Sequence, residues 1–283
     1  MSERFADISA RIETIHKLGS VIGAMRGIAA SRVQEAHRHL DSIRTFAATI
    51  GTAIGEALAF LPQGEPPDAG AAVPERHALI LFTAEQGFAG GFSEKIFEAA
   101  RADLAEGDLL FLLGDRGLPV AEEQGIAVAW RAPMISHSAQ AATLATRLAD
   151  AIFARMAREG VTRVSLIHAV PALSEEMQIA RKVLVPFDFG RFPVPETLVA
   201  PRITLPPGDL LRRLVEEYIF AELAEAVMLS FAAENEARMR AMIAAQDNTA
   251  QTLDEMIRTS RRLRQQEITE EIVELASAGL SAR

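Results

Sequence analysis

The chain has 283 residues, 49% of them apolar and 24% charged, with a formal net charge of −9. That is the composition of an ordinary globular protein of one or two domains, and a sequence pI of about 5.3 argues against general attraction to nucleic acid or anionic lipid. The absence of cysteine excludes disulfides, thiol catalysis and cysteine-ligated metal. The opening Met1-Ser-Glu-Arg-Phe5 leads into amphipathic sequence rather than a signal peptide, and the runs 78–82 and 109–113 are far too short to span a bilayer, so a soluble, cytoplasmic protein is expected.

Residues 1–61 read as one long helix. Apolar or small residues recur at steps of three and four through Ile8, Ile12, Ile15, Leu18, Ile22, Met25, Ala29, Val33, Ala36 and Leu40, a narrow stripe that suits a coiled-coil seam. Gly19, Gly23 and Gly27 stand four apart on one face, each costing about 1 kcal/mol against alanine in a helix interior. Such a row serves either close packing against a partner helix or a smooth face that abuts another subunit. Pro62 and the Gly/Pro-rich stretch to residue 76 form a linker.

From His77 the period changes. Buried-strand runs at 77–83, 108–114, 126–130 and 163–169 alternate with helical stretches at 93–104, after 114 and at 139–158; 177–186 alternates in polarity as an edge strand does. This order predicts a central Rossmann-like α/β domain over 77–191. Five prolines mark 192–208 as a second linker, and 209–283 reads as a final helix free of proline and glycine until Gly279. At 1.5 Å per residue it would reach about 100 Å, longer than a domain of this size is wide. Something must cover its apolar stripe, and the first helix is the candidate, the two ends of the chain forming a two-stranded coiled-coil shaft. An apolar tip beyond the first helix (Ile268, Ile272, Val273) calls for a partner. Asn248 near the seam would fix register.

Little in the chain suggests chemistry of its own. The turn Glu85–Phe92 lacks the lysine and hydroxyl of a P-loop and the spacing of a dinucleotide loop, so it is expected to pack a helix on the sheet rather than bind an anion. The six histidines show no metal-ligand spacing, and His168 fits a core residue with a backbone partner. Ser136, Ser138 and Ser165 lack a nucleophile elbow, and nothing resembles a triad. No catalytic residue, cofactor or metal is expected. Arg238, taken alone, reads as a solvated charge.

Four stretches, in order, resemble one family. Gly23-Ala-Met-Arg-Gly-Ile-Ala-Ala-Ser-Arg32 is similar to K-A-M-x-M-V-A-A-S-K, and Gln86-Gly-Phe-Ala-Gly-Gly-Phe-Ser93 to R-G-L-C-G-G-F-N. Ala237-Arg-Met-Arg-Ala-Met-Ile-Ala-Ala-Gln-Asp-Asn248 is similar to A-R-M-x-A-M-x-x-A-T-x-N-A, and 264–272 to R-Q-x-x-I-T-x-E-I. These are motifs of the gamma subunit of F-type ATP synthase, the central rotor shaft, and the resemblance implies that the two long helices form an antiparallel coiled coil. The resemblance implies a non-catalytic subunit on the cytoplasmic face of the inner (plasma) membrane, with alpha and beta subunits, epsilon subunit and c-subunit ring as partners and no small-molecule substrate. It implies that ion-driven rotation of the ring is coupled to the catalytic beta sites, with Met25, Arg238, Arg264 and Gln265 as beta contacts. Departures at Gly23, Gly27, Gln86, Ala89 and Gln246 suggest a divergent branch, with a second, sodium-coupled ATPase as the alternative.

Overall fold

The computed structural model describes residues 2–61, 76–172, 177–194 and 202–281. The first expected linker lies outside these residues except for Arg76, as does the 195–201 part of the second. The N-terminal helix α1 runs Ser2–Leu58 and the C-terminal helix α5 runs Pro207–Ser281. Between them come β1 (His77–Phe82), α2 (Phe92–Ala100), β2 (Leu109–Leu113), α3 (Leu118–Glu123), β3 (Val128–Ala132), α4 (Ala141–Glu159), β4 (Arg163–Val170) and β5 (Gln178–Val185). Pro207 at the first turn of α5, followed by Asp209, suits a helix start, since proline lacks only an N–H that would go unpaired and the carboxylate faces the positive dipole end.

The five strands lie in the order β3-β2-β1-β4-β5. All neighbours are parallel except β4 and β5, which pair antiparallel. The central strands are buried on both faces, which explains their unbroken apolar runs. On one face Ile80, Phe82, Phe111 and Leu113 meet Leu144 and Leu148 of α4 and Leu223, Val227 and Phe231 of α5. On the other, Leu79, Leu81, Leu110 and Leu112 meet Ile96 and Phe97 of α2 and Val120 and Ala121 of α3. Tight turns let the layers meet: at Gly114, with φ of +94°, an added Cβ would lie 2.4 Å from the Thr83 carbonyl oxygen, closer than atoms can approach.

The chain divides into two compact units, 1–29 with 239–283, and 30–238. This boundary differs from the expected one, because it cuts across both long helices rather than between helices and sheet. The cause is visible in the burial. Within 30–238, Ala36 and Leu40 of α1 and residues 219–232 of α5 belong to the same core as the sheet. A separate cluster joins Ile54 and Ala57 to Phe192, Leu211 and Tyr218, where the Phe187 and Phe192 rings stack. In that unit α1 and α5 run antiparallel, with Arg44 paired to Glu225 and Phe46 against Phe220. In the other unit they are again antiparallel: Arg26 donates to Gln246 at 2.9 Å, and Gly19 faces Thr249. Ile22 and Ala29, one heptad apart, are buried there.

His168 is the core histidine anticipated from its strand. It is 4% exposed, donates from Nδ1 to the Ala169 carbonyl and lies edge-on to Phe82. Burial, assisted by Lys182 and opposed by the Ala169 carbonyl and Glu225, holds its pKa below the ordinary imidazole value. A depressed folded pKa means that the unfolded chain takes up the proton more readily. The stability contributed is complete above the unfolded value of about 6.5 and is lost as pH falls through the lower folded value. Urea unfolding should therefore shift to lower midpoints between pH 7 and 5, and His168→Gln, which keeps a donor but cannot charge, should lose less over that interval. Equal losses in the two proteins would rule out His168 as the origin.

Candidate functional site

The loop after β1 leaves the sheet between β1 and β4, where the strand order reverses and where α/β sheets commonly bind ligands at their carboxyl ends. Here α5 supplies the occupant. The Glu234 carboxylate accepts from the backbone N–H groups of Glu85 and Gln86, both at 3.1 Å. Arg238, one helical turn on, pairs with Glu234, donates to the carbonyls of Gln86 and Gly87 at 3.1 Å each, and donates to Asn235 Oδ1 at 3.0 Å. Asn235 in turn donates to the Phe231 carbonyl. Glu234, Asn235 and Arg238 are all at least 95% buried.

This corrects two expectations. The glycine turn does hold an anion, and that anion is the chain's own carboxylate. Arg238 is neither a solvated charge nor an outward-facing contact: its guanidinium is spent on the turn and on its helix neighbours. The periodicity could not reveal this, because an arginine among small residues looks the same whether the opposing surface is solvent or a loop 150 residues away in sequence.

The turn carries a second carboxylate, Glu85, which accepts from the Met134 N–H at 2.7 Å and the Asp115 N–H at 3.3 Å. Burial raises its pKa, an effect that these two donors oppose and the nearby Asp115 and Glu234 reinforce. The result is a loop fixed from both sides, with Phe88 at its apex, 68% exposed and at a φ of +63°. Left-handed backbone is costly for an aromatic residue.

The remaining expected contacts lie in the other unit. Met25 is half-buried on α1, and Arg264 and Gln265 are exposed on α5. So are Leu18, Val21 and Ile28 of α1 and Ile243, Ile268, Ile272 and Val273 of α5, each more than 40% exposed. The close packing expected of the glycine row is present only at Gly19, where a Cβ would sit 3.9 Å from Thr249; at Gly23 and Gly27 it would meet nothing within 4 Å. Asn248 is exposed, off the seam. Among the described residues there is no group of histidines and carboxylates that could hold a metal, and no helix long and apolar enough to cross a membrane.

One polar cluster was missed in the sequence. His77, Asp108 and Ser165, from three neighbouring strands or their approaches, are joined by hydrogen bonds of 2.9 Å and 2.5 Å. Their sequence separations of 31 and 88 residues gave no local signal; only the parallel register brings them together.

Removing one partner of a buried ion pair costs about 3–5 kcal/mol, because the other charge is left without compensation. Arg238→Ala should lower the unfolding free energy by that order, Glu234→Ala should do likewise, and the double variant should lose clearly less than the sum. Urea denaturation of the three variants measures this. A loss below about 1 kcal/mol for Arg238→Ala, the level of an ordinary surface pair, would contradict the clamp.

Comparison with known proteins follows the same lines. A family model described as ATP synthase matches residues 4–282. The ATP synthase gamma chain of Solibacter usitatus is 24% identical, over 98% of this chain and 98% of its own length. That of Frankia casuarinae is 26% identical, over 97% and 96%. A chain in the OSCP/F1/c-ring structure of the Euglena gracilis mitochondrial ATP synthase superposes with a TM-score of 0.69 at 12% identity, over 99% of this chain and 95% of that one. A rotor chain from the same organism gives 0.65 at 11% identity, over 95% and 100%. At such identities the structures speak for the fold, while the family match, running nearly end to end, speaks for descent: this chain belongs to the ATP synthase family, among its gamma chains.

Proposed function

We propose that the chain is the central-stalk rotor subunit of a rotary F-type ATP synthase. It couples ion-driven rotation of a membrane c-ring to conformational cycling of the catalytic beta subunits. The observation that carries this reading is the apolar surface of 1–29 with 239–283. Leu18, Val21, Ile28, Ile243, Ile268, Ile272 and Val273 are exposed on helices that already pair with each other, and a surface this apolar calls for a further partner. A surrounding ring of alpha and beta subunits is such a partner. Epsilon and the c-ring complete the set, at the cytoplasmic face of the plasma membrane.

In this role the chain takes no part in nucleotide chemistry. The crevice where a nucleotide would bind an α/β sheet is filled by Glu234 and Arg238. The work of the chain is differential contact: each beta conformation meets a different face of an asymmetric shaft, and the differences in contact free energy bias the catalytic sites in turn. Met25, Arg264 and Gln265 remain the contact residues of this proposal. Arg238 acts indirectly, by holding the turn that presents Phe88.

The divergent positions favour a separate branch of the family, with a sodium-coupled enzyme as the alternative to a proton-coupled one. Gly23 and Gly27 leave α1 bare of side chains where the family carries lysine and methionine, and Gln246 accepts from Arg26 where the family has threonine. The ligating residues of the ring subunit that co-purifies would decide the ion.

Affinity purification of the tagged chain from native membranes should bring down alpha, beta, epsilon and ring subunits. Recovery of the chain without them would defeat the proposal. In the assembled complex, Arg264→Ala with Gln265→Ala should leave the stability of the chain within about 0.5 kcal/mol, as exposed positions do. It should cut ATP-driven ion pumping roughly tenfold, the kinetic size of about 1.4 kcal/mol of lost contact. Unchanged pumping would remove both residues from the contact surface.

A further inference from the structure

At the amino ends of the strands, away from the clamped turn, a cleft of about 430 Å³ opens beside the end of α2. His77, Asp108 and Ser165 are part of its lining. His77 opens β1, Ser165 is the third residue of β4, and Asp108 immediately precedes β2. The pairing of His77 with Arg163 and of Ala78 with Leu109 aligns the three strands. Because side chains alternate along a strand, His77 and Ser165 point to the same face as Leu79 and Ile167, which lie in the α2-side core.

The hydrogen bonds fix both direction and tautomer. Asp108 Oδ2 accepts from the Ala105 N–H at 2.9 Å and lies 2.9 Å from His77 Nδ1. A carboxylate accepts only, so Nδ1 carries the proton, and in the neutral imidazole Nε2 is left with its lone pair. Ser165 Oγ lies 2.5 Å from that nitrogen and donates to it. A hydroxyl bonded to an imidazole, itself oriented by a carboxylate, is the relation that activates a serine, and it is recognised by geometry rather than by fold or chain order. The imidazole and carboxylate are each only about one-eighth exposed, at 12% and 13%, so bulk water does not dilute the interaction. Arg163 and Arg181 line the same cleft, with Arg181 braced by Asp103 and the Ala99 carbonyl. Both bring positive charge to the lining of the cleft.

We propose that this cleft is an acyl-transfer site: Ser165 is the nucleophile, His77 the general base and Asp108 a positioning residue, acting on small acyl esters. Ser165 Oγ bonds to the carbonyl carbon as its proton passes to His77 Nε2. The ester C–O bond breaks and the leaving alkoxide takes that proton from His77. Water, deprotonated by the same nitrogen, then releases the acid and restores the hydroxyl. Every atom comes from ester and water, and no redox partner is needed. The inference is independent of the shaft assignment, since none of its residues lies on the exposed helix surfaces.

The test treats the purified full-length chain with a fluorophosphonate probe and with p-nitrophenyl acetate, followed by peptide mapping. Ser165 should be the serine modified first, with an initial burst of about one p-nitrophenolate per chain, and its modification should vanish in urea. His77→Gln should slow it by about 10²-fold or more, the usual contribution of a general base, and His77→Ala should recover with added imidazole. Asp108→Asn should slow it and also displace its pH profile, which a purely structural role would not do. If Ser165 reacts no faster than other serines of the folded wild-type chain, the proposal is overturned without recourse to any variant. It is equally overturned if Ser165 reacts at an unchanged rate in folded His77→Gln.

Discussion

The organising contact is a carboxylate on two backbone N–H groups. The turn after β1 points its amides into the crevice where the strand order reverses, as in α/β proteins that bind phosphates, and a helix from the far end of the chain delivers Glu234 into it. The desolvation of that carboxylate is offset by two N–H donors and by Arg238, which also satisfies two carbonyls of the same turn. Isolated charges in this position would be expensive, and the group is stable only as a complete set. Its effect is to weld α5 to the sheet at the place where a ligand would otherwise sit. A ligand-binding architecture thereby becomes a mounting.

The course of α5 follows from this. Up to Arg238 it is a core helix: nearly every residue from 218 to 235 is buried, against the sheet on one side and α1 on another. After Arg238 exposure alternates with partial burial, and charged and apolar residues alike face outward. The same helix has two solvation regimes, and the buried ion pair stands where one gives way to the other. α1 has no such sharp change: Ile22 and Ala29 are buried along it as Ala36 and Leu40 are, among exposed and half-buried neighbours.

Much of this was legible in the sequence because periodicity is a local signal. The strand runs at 77–82, 109–113 and 163–170, the edge strand at 178–185 and the two long helices were all anticipated, with boundaries off by a few residues where helix ends fray. What could not be read were relations between distant residues. Arg238 reads as a solvated charge because the turn it braces lies in another part of the chain. Gly23 and Gly27 suggested close packing because a small-residue stripe implies a neighbour without saying whether the chain supplies it. His77, Asp108 and Ser165 are ordinary residues until parallel register sets them side by side.

The outer strand β5 has a consequence for the chain before it finds any partner. Its neighbouring residues Arg181 and Lys182 point to opposite sides of the sheet, one bound to Asp103 beyond α2 and the other to Glu222 of α5. An edge strand with unpaired amides is an invitation to strand addition by another copy, and fixed charges along it are an effective deterrent. The opposite edge, β3, carries Arg131 outward. Among the described residues, most of the exposed large apolar side chains lie on the two long helices, where they can seek a shaped socket, and the exposed Val183 of β5 stands directly beside Lys182. The sheet, which would template indiscriminate fibre-like growth, is guarded at both margins, so a newly made copy can wait for its ring without polymerising with its siblings.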